Sequence, residues 1–95
     1  MAARKRRVVV AALESKGFIA VPRKRHVQYH FWVGGKDTGA FTFVSRGSGR
    51  EDIGDSLLSA MAGELGIKKA EFERLVDCTW NQSDLQAELA RQGEL

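Results

Sequence analysis

The sequence predicts an α+β fold: α-β-β-β-α, with a three-stranded antiparallel sheet packed on helices and short helices added at the C-terminus. Three observations predict it. Apolar residues recur at helical spacing near both ends of the chain. The stretch His26–Val33 alternates with a period of two. The extended runs between residues 18 and 45 are joined by connections too short for parallel crossovers, which leaves an antiparallel meander.

Residues 4–16 read as a helix, because Val9, Ala12 and Leu13 form one apolar stripe and Gly17 stands at its end. Phe18-Ile19-Ala20-Val21 is a short strand closed by Pro22. In His26–Val33, the set Val27, Tyr29, Phe31, Val33 shares one face, and His26, Gln28, His30, Trp32 share the other. Gly34-Gly35-Lys36-Asp37 supplies turn chemistry, and the chain returns from Gly39 to Ser45. Beyond the glycine-rich loop 46–50 the period changes. Ile53, Leu57, Met61 and Leu65, with Leu58 and Ala60 beside them, predict a helix over 52–65 that ends at Gly66. Phe72, Leu75 and Val76 mark a helix over 68–77. Ser83-Asp84-Leu85-Gln86 reads as the capping box of a last helix. The helices at 4–16 and 52–65 are expected to cover the Tyr29/Phe31 face, leaving His26, Gln28, His30 and Trp32 on the open one.

Ninety-five residues make one domain, 1–95, with 68–95 as a helical extension. No apolar run approaches the roughly 20 residues that span a bilayer, and no secretory signal is visible, so no membrane partner is expected. Cys78 is the single cysteine. It excludes an intrachain disulfide or a cysteine zinc site, reads as a small packed residue, and suits a reducing cytoplasmic compartment.

The net charge of +3 is unevenly spread. Residues 1–36 carry nine basic residues against Glu14 alone, a net of +8, and residues 37–95 carry −5. Charge runs are often only solvated surface, but this concentration points to a polyanion such as RNA. The candidate RNA-binding residues are Arg4, Lys5, Arg6 and Arg7, the run Arg23, Lys24, Arg25, and Arg46 and Arg50 in the glycine-rich loop. His30 and Trp32 on the open face complete the set.

His26 directly follows three cations. There, an imidazole can take the proton of a ribose 2′-hydroxyl or protonate a leaving oxygen, while guanidinium groups hold the phosphate. The alternative is a solvent-facing strand histidine without a task. His30 lies four strand residues on, about 13 Å away, too far to share a metal ion with His26. Trp32 reads equally as a stacking surface or as packing. Phe41 and Phe43 read better as packing residues, in the core or under the C-terminal helices, than as a surface for bases. The loop 45–50 lacks the P-loop pattern, and no GxSxG is present.

The ordered set of segments resembles the HicA family of type II toxin–antitoxin toxins. The matching pieces are the helix end Leu13 to Phe18, the basic run ending in His26 with Tyr29 beyond it, and Thr42 to Gly47. They continue with Asp55–Ala62, the Leu65-Gly66-Ile67 break and Phe72 to Cys78, over most of residues 8–85. The resemblance implies a fold like that of double-stranded-RNA-binding domains. It further implies an mRNA-cleaving endoribonuclease that needs no metal or other cofactor, and a HicB-like antitoxin as protein partner. The family's catalytic histidine opens the second strand, and by position that role falls on His26. Lys24-Arg25 stands where the family typically has Gly-Ser, and Arg46 where a second histidine often occurs.

Overall fold

A computed structural model of the chain describes residues 4–45, 52–77 and 79–93. The sheet is the meander the sequence predicts. Strands β2 (Phe18–Pro22), β3 (His26–Val33) and β4 (Lys36–Ser45) pair antiparallel in the order β2-β3-β4. A two-residue ladder joins β1 (Arg4–Lys5) to β5 (Asp52–Ile53), and helices α1 (Arg6–Ser15), α2 (Asp55–Leu65), α3 (Lys69–Val76) and α4 (Gln82–Arg91) complete the fold.

The β3–β4 hairpin turns on Gly34 and Gly35, whose φ angles of 59° and 79° lie in the left-handed region that a tight two-residue hairpin turn requires at both positions. Val33 therefore pairs with Lys36, and Lys36 and Asp37, expected in the turn, already belong to β4. Between the pairs Trp32↔Asp37 and His30↔Phe41, β3 advances two residues and β4 four. Local side-chain bonds stand in for the ladder across this irregularity. Thr38 Oγ1 donates to the Phe31 carbonyl at 2.7 Å, and the Gly39 amide donates to Asp37 Oδ1 at 2.8 Å.

Tyr29, Phe31, Thr42 and Val44 form the buried face of the sheet. Val9, Ala12 and Leu13 of α1 and Leu58, Met61, Ala62 and Leu65 of α2 join them in the core. The C-terminal helices belong to the same core, through Phe72, Leu75 and Val76 of α3 and Leu85 and Leu89 of α4.

Three boundaries differ from the sequence reading. The expected helix 4–16 starts at Arg6 and the expected helix 52–65 at Asp55, because Arg4–Lys5 and Asp52–Ile53 pair with each other instead. Lys5 Nζ lies 3.3 Å from Asp52. Leu57 and Ala60 are exposed. A four-residue repeat drifts about 40° per step around a helix of 3.6 residues per turn. The stripe that is buried instead follows the i, i+3, i+4, i+7 pattern at 58, 61, 62 and 65. The last capping box is shifted by two residues. Asn81 Oδ1 accepts the Asp84 amide at 3.0 Å and Asp84 Oδ2 accepts the Asn81 amide at 2.9 Å, so the box opens on Asn81 rather than Ser83.

Candidate nucleic-acid interface

The helices leave one face of the sheet uncovered, and register decides what it carries. His30 pairs with Phe41 and with Ile19, and Gln28 pairs with Phe43 and Val21, so these side chains share that face. Phe41 and Phe43, expected to pack in the core or under the C-terminal helices, are half-buried on the open side. Four rings run across it. His30 stacks on Phe41 with centroids 4.7 Å apart, Phe41 meets Phe43 edge-on at 5.4 Å, and His26 meets Phe43 edge-on at 5.0 Å. Ile19 extends this surface and is 47% exposed.

The two histidines are held differently. His30 Nε2 lies 2.9 Å from Gln28 Oε1. Its Nδ1 lies 2.9 Å from Asp37 Oδ2, an ion-pair contact without hydrogen-bond alignment. With Phe41 against its face, that ring is fixed. His26 is exposed at the first position of β3, directly after the hairpin loop Arg23-Lys24-Arg25, where the Arg23 amide donates to the His26 carbonyl at 2.8 Å. Lys24 and Arg25 are exposed. Arg23 Nη2 reaches Gln28 Oε1 at 3.5 Å, which sets the loop beside the ring ladder.

His26 also lines a cleft of about 390 Å³ bounded by β4, β5, the start of α1 and one side of α2. Phe43, Val44, Ile53, Leu57, Ala60 and Met61 make its walls apolar, and Arg6, Asp52 and Glu64 add charge. Glu64 is anchored through one oxygen: Oε1 accepts the Thr42 hydroxyl at 2.5 Å and the Phe43 amide at 3.2 Å. Arg6 also acts on Tyr29. Burial pushes that phenol above its ordinary range, with Glu14 adding to the shift and Arg6 opposing it.

The other candidate basic residues differ in their surroundings. Arg4 closes a two-pronged bond onto Asp77, Nε to Oδ1 at 2.8 Å and Nη2 to Oδ2 at 2.7 Å, which pins β1 to the end of α3. Lys5 faces Asp52, while Arg7 is exposed on α1. Arg46, Arg50 and Cys78 lie outside the described residues. Trp32 is half-buried, its indole Nε1 is enclosed with no hydrogen-bond partner among the described residues, and its backbone carbonyl accepts the Gln82 side-chain amide at 3.3 Å. Among the described residues, no cluster of three potential metal ligands occurs, and no helix is long and apolar enough to cross a membrane.

Comparison with protein-family profiles, curated proteins and solved structures returns no match to this chain. The candidate site rests on its own geometry. That geometry adds residues that sequence reasoning missed: the cleft wall of Leu57, Met61 and Glu64, and the outward placement of Phe41 and Phe43. A signal for the phenylalanines was present. A two-residue turn at Gly34-Gly35 pairs even positions of β3 with odd positions of β4, and the two extra residues of β4 preserve that parity.

Proposed function

We propose that the protein binds RNA on the open face of its sheet and cleaves it without a metal, as a toxin-like endoribonuclease of the HicA kind. His26 serves as general acid/base. The observation that carries this reading is the position of His26, an exposed imidazole where a basic loop, an aromatic ladder and a cleft containing Arg6 meet. Aromatic rings give unstacked bases a surface, and adjacent cations hold the backbone. In the reaction, a ribose 2′-hydroxyl gives up its proton and its oxygen attacks the adjacent phosphorus. The bond to the 5′-oxygen breaks, and that oxygen leaves with a proton. His26 performs one of the two proton transfers, and cations next to it offset the charge on the phosphorane oxygens. A HicB-like antitoxin is the protein partner this reading implies.

Incubating RNA with the wild type and with His26→Ala tests it. Cleavage by the wild type is expected to fall at least a hundredfold in the variant, in line with the usual contribution of one acid–base group. Equal cleavage by both, or none by either, overturns the catalytic reading. A second reading is a non-catalytic RNA-binding module. It is favoured by the fixing of His30 between Gln28, Asp37 and Phe41, which leaves His26 without a second mobile histidine among the described residues. It predicts RNA binding with no products.

A further inference from the structure

The cleft beside His26 has more chemistry than phosphate binding needs. A site for phosphate alone has no use for an anchored carboxylate, which repels the backbone it is meant to hold. Glu64 is nevertheless held there by Thr42, whose side chain is fully buried, and by the Phe43 amide. Both bonds fall on Oε1. Among the described residues Oε2 accepts none. A carboxylate has room for about four hydrogen bonds and can only accept them. Glu64 is therefore an oriented acceptor with capacity left over, next to apolar wall and in a cleft of about 390 Å³.

We propose that this cleft receives one unstacked base of the RNA strand and that Glu64 reads it, favouring guanine. This rests on the RNA-binding reading and deepens it by naming a base-specific subsite. The Watson–Crick edge of guanine offers two adjacent donors, N1–H and N2–H. Adenine and cytosine place an acceptor beside their amino group, and uracil flanks its single N–H with two carbonyls. An acceptor-only partner therefore satisfies guanine best and leaves an unpaired acceptor facing a carboxylate in the other cases.

The layout of the cleft orients a nucleotide. Leu57 and Glu64 stand on one side of α2, about 10 Å apart along its axis at 1.5 Å per residue. Arg6 follows Lys5, which pairs with Asp52 just before α2, so the Arg6 backbone stands at the start of α2, away from Glu64 in its last turn. Asp52, the other acid of the cleft, faces Lys5 at 3.3 Å and is offset by it. The base then lies along Phe43 and Leu57 with its edge at Glu64, and its phosphate is drawn towards Arg6 and His26. Leu57, 53% exposed on an otherwise ordinary helix, gains a partner for its apolar surface.

The test uses the full chain and single-stranded 2′-fluoro pentanucleotides, which cannot be cleaved through a 2′-hydroxyl: a uridine strand, and the same strand with one central guanosine or adenosine. Fluorescence anisotropy is expected to show the guanosine strand bound roughly tenfold more tightly than either other. Glu64→Gln, which puts a donor where an acceptor stood, is expected to erase the difference between the guanosine strand and the other two. Thr42→Val is expected to weaken the preference and Thr42→Ser to restore it, as befits a positioning residue. Equal affinities for all three strands, or a guanosine preference that survives Glu64→Gln, overturns the base subsite while RNA binding stands. No binding of any strand, nor of a longer RNA at low salt, overturns both.

Discussion

Arg4 and Asp77 show how one side chain of a basic cluster can be committed to the fold. The sequence places Arg4 among four cations in a row, all equally available to a polyanion. Its contact with Asp77 is 73 residues away in the chain, and no local pattern announces it. The hydrogen bonds from Arg4 hold the Asp77 carboxyl below the usual carboxylate range, with burial opposing and the charge of Arg4 assisting. Because the folded value is depressed, the stabilisation is present above the unfolded pKa of about 3.9 and is lost as the pH falls through the folded one. Asp77 is 45% exposed, so solvent limits the contribution to about 1 kcal/mol or less. Urea unfolding of the wild type and Asp77→Asn is therefore expected to differ by that amount at pH 7, with the gap closing as the pH drops below 4. A gap that persists at pH 2 assigns the stability to packing instead. His26 is a contrasting residue. Its place at the head of a strand and after three cations is entirely local, and local information sufficed to find it.

At the scale of elements, alternation and helical period located the three sheet strands and the four helices, while phase and edges depended on contacts between them. Helix α2 was legible as a helix, but its buried stripe is set by the sheet it packs on, and this turns Leu57 and Ala60 outward into the cleft. Strand β4 shows the same limit. Phe41-Thr42-Phe43 suggests core on hydrophobicity, yet register to β3 directs Thr42 and Val44 inward and both rings outward. This arrangement can be tested by separating stability from binding. Phe43→Ala and Phe41→Ala are each expected to lower RNA affinity about tenfold or more, given roughly 1–3 kcal/mol per stacked base. Val44→Ala, on the buried face of the same strand, is expected to lower the unfolding midpoint while changing affinity little. The pairing of outcomes matters: if Phe43→Ala destabilises the fold and leaves RNA affinity intact, the ladder is packing and the open face is not the interface.

Over the whole molecule, the charge asymmetry of the sequence is partly cancelled by the fold. The −5 half supplies Asp77 to Arg4 and Asp52 to Lys5, so two cations of the first basic cluster are paired across the domain, while Lys24 and Arg25 of the hairpin loop beside His26 are exposed. Composition measured how much positive charge there is, but only tertiary contacts decide where it reaches solvent. The consequence is a small electrostatic footprint. A strand of RNA held by the loop and by Arg6 would meet three or four cations, rather than the nine counted over residues 1–36. Counterion release from a single strand gives a slope of about −0.7 per phosphate neutralised in a plot of log affinity against log salt, so a slope between about −2 and −3 is expected. Removing two loop cations in Lys24→Gln/Arg25→Gln is expected to flatten it by about 1.4, since each is counted once. Arg91→Gln, a cation of α4 paired with Glu88, is expected to leave it as it was. A wild-type slope near −6 would mean that the whole N-terminal half meets RNA and that the pairs to Asp77 and Asp52 open on binding. An unchanged slope in the loop variant would move the backbone path away from His26, and with it the site of cleavage.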